Sequence, residues 1–228
     1  MLFRSAKVLA NYVLGLEFGL LAEDDAETLT AALREAIEDV DETDDVRGSA
    51  LEALGAWSDE STAELISELY EIGSPLLRLS AIRAMGRNAS EGWLELLIYH
   101  FDDEDADIRA AAAQAAGELL MDEAVDPLIL LASEDKDEEV QASAIRALGE
   151  IGNEQAERVL TRWLDERRTP VIQEALREAL AEVELLTTAM ADGRNIRPRF
   201  EGDRDDDDAI DDEDDDRGAA APSPREAS

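Results

Sequence analysis

A ten-residue motif recurs at a near-constant interval along most of this chain. The first four copies read VRGSALEALG, LRLSAIRAMG, IRAAAAQAAG and VQASAIRALG, and a more divergent fifth reads VIQEALREAL. They begin at Val46, Leu77, Ile108, Val140 and Val171, so successive starts are 31, 31, 32 and 31 residues apart. Such a recurrence indicates repeated units that bury their apolar faces by stacking on one another.

Within the motif, the pattern of side chains predicts an amphipathic helix. Numbering its positions as places one to ten, apolar residues fall at places one, five, six, eight and nine, the spacing of one helix face. Places five and eight are mostly Ala, and place ten is Gly in four copies, which suits either a helix end or a close contact. A capping residue precedes each copy: Thr43 or Asp44, Ser74, Asp105, Asp137 and Thr169.

A further helical pattern lies before each motif. The predicted first helices cover residues 27–39, 61–71, 91–101, 123–132 and 154–164. Each repeat is therefore predicted to be two antiparallel helices, and no strand pattern of note interrupts them. Since neither helix can bury its apolar face alone, the sequence predicts an all-α fold, a right-handed α-solenoid of about five two-helix repeats.

The charge of the chain narrows the classes of partner. Its 228 residues include 21 Lys and Arg against 57 Asp and Glu, giving a net charge of −36. A protein this acidic repels nucleic-acid phosphates and anionic lipid, so we expect neither as a partner. The chain has no Cys and no uninterrupted apolar run long enough to cross a membrane. We therefore expect a cytoplasmic protein.

Three segments are predicted. Residues 1–24 read as an N-terminal helix from a diverged half-repeat, residues 25–190 as the solenoid, and residues 191–228 as a disordered acidic tail. From Gly193 onward the tail has 6 basic and 13 acidic residues, a net charge of −7. A chain that begins within a repeat leaves an apolar edge, so we predict a homo- or heterodimer through the N-terminal edge as one way to cover it.

The motif, with Val-Arg at its start and Ala-Leu-Gly at its end, resembles the HEAT-like repeat of the phycobilisome-lyase (E-Z type) family over about residues 25–185. The resemblance implies an armadillo-like helical fold shared by scaffolds, chaperone-like lyase subunits and deoxyhypusine hydroxylases. The last of these needs His-Glu pairs for a di-iron centre, and this chain has a single histidine, His100, which we expect at the surface. We therefore predict no enzyme activity, no catalytic residue, no metal and no cofactor.

Two rows of polar residues on the second helices are candidate sites. At place two, Arg78 and Arg109 follow Arg47, and Gln141 and Ile172 occupy the later copies. In repeats of this type an Arg at place two usually pairs with an acidic residue in the preceding turn, and Asp45, Asp107 and Glu139 are suitably placed. The alternative is that these arginines bind a ligand.

Place seven forms the second row: Glu52, Arg83, Gln114, Arg146 and Arg177. If the second helices line a concave surface, its arginines form a cationic strip that attracts an acidic segment of a partner, or the chain's own tail. The alternative is a solvated face in which Arg146 pairs with Glu150 four residues on.

These observations predict a non-enzymatic HEAT-repeat scaffold or adaptor that binds a protein partner through its concave helix ridge. The alternative function is a bilin-lyase-like or chaperone-like subunit that acts together with a second chain, which rests on the resemblance alone.

Overall fold

The computed structural model describes residues 23–88, 90–166 and 168–191, which form a right-handed stack of antiparallel helix pairs. The first helices of the five pairs are α1 (Glu23–Glu38), α3 (Glu60–Ile72), α5 (Leu94–Tyr99), α7 (Val125–Glu134) and α9 (Glu154–Leu164). The second helices are α2 (Asp44–Leu54), α4 (Pro75–Arg87), α6 (Ala106–Glu118), α8 (Glu138–Ile151) and α10 (Pro170–Ala191). The predicted α-solenoid of two-helix repeats is confirmed.

The predicted capping residues start the second helices. Thr43 and Ser74 accept hydrogen bonds from the backbone N–H groups of the third helical residues, Val46 and Leu77. Asp105 and Asp137 accept from N–H groups two residues on. Each contact gives one of the unpaired N–H groups of a helix start a partner, which fixes where the helix begins.

The first helix of the third repeat is shorter than predicted, and that of the fourth repeat begins and ends two residues later than predicted. Residues 91–101 were expected to form one helix, but α5 covers only Leu94–Tyr99, between 3₁₀ turns at Glu91–Trp93 and His100–Asp102. In the fourth repeat, a 3₁₀ turn at Asp122–Ala124 leads into α7. Turns of this kind are common at helix ends. The turn at His100–Asp102 places His100 beside α6.

Small residues at place ten bring successive second helices together. A Cβ atom added to Gly86 would lie 2.5 Å from the Cα of Ala115, and one added to Gly117 would lie 2.7 Å from the Cα of Ala147. Gly86 and Gly117 lie inside α4 and α6, so they serve close contact and do not end their helices. The end of α8 instead falls at Gly152, whose φ of 58° is left-handed.

The second helices contact one another in succession more extensively than the first helices do. The more closely spaced layer lies on the inner side of a curved stack. The second helices therefore line the concave side, as predicted.

The fifth second helix departs from the predicted register in its contacts with the fourth. Ala175 and Leu176 are buried at places five and six, as expected. However, Gly149 faces Ala179, which the sequence puts at place nine, whereas the earlier glycines of the row face the Ala at place eight. The contacts between repeats thus fall one residue later in α10, because this helix is the divergent copy.

The predicted N-terminal helix over residues 1–24 and the predicted acidic tail over residues 191–228 lie, apart from the outermost residues of α1 and α10, outside the described residues. Both assignments stay predictions, as does the dimer through the N-terminal edge.

Candidate functional site

The residues at place two bind the chain's own backbone. Arg47 Nε donates to the carbonyl of Ile37 at 2.8 Å, and Arg78 Nε donates to the carbonyl of Tyr70 at 3.1 Å. Gln141 continues the row with a hydrogen bond to the carbonyl of Asp135. Each acceptor lies at the end of the preceding first helix or in the turn that follows it. The row therefore gives partners to carbonyl groups that a helix end leaves unpaired.

In the fifth repeat, the side chain that donates to a backbone carbonyl of the turn belongs to the residue after the predicted one. Gln173 Nε2 donates to the carbonyl of Glu166 at 3.0 Å, whereas Ile172 is buried at 3% exposure. Ile172 was predicted at place two. The one-residue shift of α10 puts Gln173 there instead, with the same contact as Gln141.

Arg109 is the most deeply placed member of the row. Its Nε and Nη2 donate to the two carboxylate oxygens of Asp135 at 2.6 and 3.0 Å, and Nη1 donates to the carbonyls of Asp103 and Glu104. The side chains of Arg109 and Asp135 are only 5% and 6% exposed. A bidentate pair that is this buried joins the third repeat to the turn of the fourth.

The same contacts set the acidity of Asp135. Burial by itself raises the pKa of a carboxyl, but the hydrogen bonds from Arg109 and from the backbone N–H of Asp137 outweigh it. The pKa of Asp135 is therefore held below its ordinary value. The sequence had suggested Asp45, Asp107 and Glu139 as partners for place two, but the carboxylates bound here are Asp135 and, at 3.6 Å from Arg47, Asp44.

Residues at place seven form ion pairs between neighbouring repeats at two points of the stack. Glu52 of α2 accepts from Ser80 and from Arg83 of α4, at 2.9 and 3.4 Å. Two repeats on, Arg146 Nε donates to Glu178 Oε2 at 2.7 Å, and these side chains are 42% and 50% exposed. The alternative partner Glu150, predicted four residues after Arg146, is not the residue that this hydrogen bond joins.

Two charged residues one helical turn after place seven were not predicted as part of this row. Arg87 Nη1 donates to the carbonyl of Glu52 at 2.8 Å, and its Nε lies 3.9 Å from Glu118 Oε2. Glu118 in turn accepts from Gln114 at 2.9 Å. A spacing of four from place seven is the signal that could have found them. We call the resulting surface the inner ridge: Glu52, Arg83, Arg87, Gln114, Glu118, Arg146 and Glu178.

Arg177 lies off this ridge. It was predicted at place seven, but its Nη1 donates to Glu174 of its own helix at 3.1 Å, and Glu178 takes the ridge position opposite Arg146. The predicted strip of arginines is thus a charge-balanced row, in which the arginines Arg83, Arg87 and Arg146 stand beside the carboxylates Glu52, Glu118 and Glu178.

The single histidine is buried, contrary to the prediction of a surface residue. His100 is 5% exposed, and its Nε2 lies 2.8 Å from the hydroxyl of Tyr70 while its Nδ1 lies 3.2 Å from Asp103 Oδ2. Burial raises the pKa of Tyr70, which keeps its hydroxyl protonated. His100 therefore links the first helices of the second and third repeats. The burial of His100 is not evident from the sequence alone, because its contact Tyr70 belongs to the preceding repeat.

Across residues 23–88, 90–166 and 168–191, no three His, Cys, Asp or Glu side chains are grouped as metal ligands would be. Within the same ranges, no helix combines the length and the apolar character that a membrane span requires.

Comparison with known proteins agrees with the architecture. The family model described as HEAT repeats matches residues 90–181, which hold α5 to α9 and the first half of α10. No curated protein matches the chain in sequence.

Two solved structures are similar in outline. Human deoxyhypusine hydroxylase, in complex with glycerol, aligns at 17% identity and a TM-score of 0.43 over 79% of this chain and 80% of its own. A designed armadillo repeat protein in complex with peptide (KR)4 aligns at 17% identity and a TM-score of 0.48 over 79% of this chain and 92% of its own. Similarity at this level carries nothing about activity or ligand.

The helix pairs and their stacking define an α-solenoid of two-helix repeats, and residues 90–181 of it match the HEAT-repeat model. The finer resemblance to phycobilisome lyases stays a prediction, and so does the alternative function that depends on it.

Proposed function

We propose that this protein is a non-enzymatic cytoplasmic scaffold that binds a protein partner along the inner ridge. The observation that carries the proposal is the set of ion pairs on the concave side, which join the first repeat to the second, the second to the third and the fourth to the fifth, and which have partly exposed members. A repeat surface of this kind offers one polar position per repeat to an elongated partner.

The exposure of these pairs makes them exchangeable. Arg146 and Glu178 are about half exposed, and Arg83 is 35% exposed with a contact of 3.4 Å to Glu52. Exposed ion pairs of this kind contribute only about 0–1 kcal/mol each. At Arg146 a partner carboxylate can therefore replace Glu178 at little cost and form a bidentate contact with the guanidinium group. At Arg83 a partner carboxylate would bind beside Glu52, whose side chain is only 13% exposed.

The spacing of the repeats defines the partner segment. Packed helices lie about 8–10 Å apart, and an extended chain advances about 3.3 Å per residue. Arg83 and Arg146 belong to the second helices of the second and fourth repeats. A short extended segment with two carboxylates about six residues apart would reach both arginines, with Gln114 between them as a neutral hydrogen-bonding residue.

Charge reversal tests this function with a matched control. The ridge variant carries Arg83→Glu and Arg146→Glu. The control variant carries Arg158→Glu and Arg177→Glu, which reverse two exposed arginines that pair with Glu154 and Glu174 on their own helices, away from the ridge. Both variants change the net charge equally, and far-UV circular dichroism should show that both keep the helical content of the wild type.

The measurement is quantitative mass spectrometry of proteins retained from the host lysate by the immobilised full chain. We expect at least one protein to be retained by the wild type and the control variant and to fall about tenfold with the ridge variant. Equal retention of every bound protein by the wild type and the ridge variant would show that the inner ridge is not the binding site.

A further inference from the structure

Exposed large hydrophobic residues gather at the turns between first and second helices in the first three repeats. Val40, in the turn after α1, is 82% exposed, and Ile72 and Leu76, on either side of the next turn, are 73% and 53% exposed. Tyr99, the last residue of α5, is 74% exposed. We call this surface the turn edge: Val40, Ile72, Leu76 and Tyr99. Among the described residues, comparable exposure of a large apolar side chain recurs only at Leu130 and Leu185.

The turn edge is confined to these repeats. The turn after α7 holds Asp135, Lys136 and Asp137, and the turn after α9 is flanked by Leu164 and Val171, which are only partly exposed, so neither turn presents a strongly exposed apolar side chain. An apolar surface that recurs in three consecutive turns and is missing from the next two is a local feature of the stack, which marks it as an interaction site.

Tyr99 packs against a buried histidine that is itself fixed by hydrogen bonds. Its ring meets the ring of His100 edge-on, with the centroids 5.5 Å apart, and His100 meets Tyr70 in the same way at 5.7 Å. His100 is in turn fixed by the Tyr70 hydroxyl and Asp103. An aromatic side chain that packs against such a support loses little conformational freedom on binding, which makes it a good anchor.

The charge around the turn edge is strongly negative. Exposed carboxylates flank it in all three turns, and Arg78 is the one exposed cation among the described residues of these turns. The flanking acidic residues are Glu38, Asp39, Asp41, Glu42, Asp45, Glu68, Glu71, Asp102, Glu104, Asp105 and Asp107. A surface with an apolar centre and an acidic rim is complementary to apolar side chains flanked by Lys or Arg.

We propose that the turn edge binds an amphipathic segment of a partner protein whose apolar residues are flanked by basic ones. Charge argues against two other occupants. A second copy of this chain would bring another −36 to a rim that is already acidic, and an anionic lipid surface would be repelled in the same way. The surface is separate from the inner ridge, so the proposal does not depend on the proposed function.

The test uses a defined probe: a short fluorescent peptide of Leu and Lys in helical spacing, titrated with the full chain at physiological ionic strength and followed by anisotropy. Two control peptides separate the contributions of charge and apolar surface. In one, Glu replaces every Lys, and we expect no binding. In the other, Ser replaces every Leu, and we expect weak binding that added salt abolishes, since only the charges remain.

One triple variant and one double variant locate the site. The turn-edge variant carries Ile72→Ser, Leu76→Ser and Tyr99→Ser. The control variant carries Leu130→Ser and Leu185→Ser, which replace side chains that are 57% and 61% exposed elsewhere on the stack. None of these residues is buried, so both variants should keep the wild-type fold. We expect the turn-edge variant to bind the Leu/Lys peptide about tenfold more weakly and the control variant to bind it as the wild type does.

Other outcomes overturn the proposal. Equal binding by the two variants would mean that the peptide attaches to acidic surface in general. Sedimentation that shows a dimer of the wild type and a monomer of the turn-edge variant would assign the surface to self-association instead. A null result with the ridge variant of the proposed function leaves this test untouched, because the two sets of substitutions share no residue.

Discussion

The two polar rows of the second helices lie on the same elements and are both rich in arginine, yet they differ in what they contact. At place two, Arg47, Arg78 and Arg109 donate to carbonyl groups of the preceding helix end or turn. At place seven, Arg83 and Arg146 meet carboxylates of neighbouring repeats near the surface. The difference lies in the acceptor. Backbone carbonyls are fixed and half-buried, whereas exposed carboxylates can be exchanged for those of a partner.

The type of residue at a repeated position therefore does not decide what that residue contacts. Place two faces the turn of its own repeat, where unpaired carbonyls need donors, so arginine and glutamine serve equally well there. Place seven faces the next second helix, so what matters is complementary charge from repeat to repeat. The first row holds the repeat together, and the second is the surface on which a partner can compete.

The largest expected effect comes from breaking the first row at its buried pair. Arg109→Ala leaves Asp135 without its bidentate partner and the carbonyls of Asp103 and Glu104 without a donor. Removing one member of a buried ion pair costs about 3–5 kcal/mol, since the other charge stays buried and unpaired. Urea unfolding followed by circular dichroism should show a loss of this size in the free energy of unfolding.

The matched change in the second row is Arg146→Ala, for which we expect a loss of only about 0–1 kcal/mol because the pair with Glu178 is half exposed. Losses of similar size in the two variants would contradict the distinction between the rows.

A smaller effect is expected from a substitution at the close contact between α6 and α8, two of the helices that carry the second row. In Gly117→Ala the new Cβ would lie 2.7 Å from both the Cα and the Cβ of Ala147, so α6 and α8 must move apart. Overpacking of this kind costs about 1–3 kcal/mol. Gly92→Ala is the control, because its Cβ would meet only Ser90 Oγ at 3.7 Å, an ordinary contact. Thermal unfolding should separate the two, and equal melting temperatures would mean that the helices have room to adjust.

The smallest effect we predict depends on pH. The pKa of Asp135 is lowered from its ordinary 3.8 in the folded chain, so the carboxylate stabilises the fold fully above that value. The contribution is lost as the pH falls through the lower folded pKa. The difference in unfolding free energy between the wild type and Asp135→Asn should therefore be constant near neutral pH and shrink once the pH drops below about 3.8. A difference that stays constant into that acid range would show that Arg109 does not hold the carboxyl in its charged form.

Much of the fold could be read from the chain. The spacing of the motif predicted the helix pairs, and Thr43, Ser74, Asp105 and Asp137 were identified as caps because a capping oxygen acts within its own turn. The first helix of the third repeat was predicted too long, and that of the fourth was predicted two residues too early in the chain. Helical periodicity continues through a 3₁₀ turn such as His100–Asp102, so the sequence pattern does not mark where the α-helix ends.

Less of the candidate sites could be predicted. Arg83, Gln114 and Arg146 lie in the row that the motif predicts, because place seven recurs on the same face of every regular copy, and their role in binding a partner stays a prediction. In α10 Glu178 takes the position opposite Arg146 instead of Arg177, which depends on how α10 packs against α8. Arg87 and Glu118 were missed because the ion pair between them joins two repeats. The turn edge could not be predicted from the sequence for a related reason. Whether Ile72 or Tyr99 is exposed depends on the neighbouring repeat and cannot be judged from apolar character.

The sequence by itself determined the two-helix unit, its period and the small residues through which copies stack, because each depends on spacing within one stretch of chain. Only the tertiary structure decided which carboxylate each arginine meets, the burial of His100 between two repeats, and the one-residue shift of α10. All three arise where separate repeats come into contact, and such contacts are set by the geometry of the whole stack.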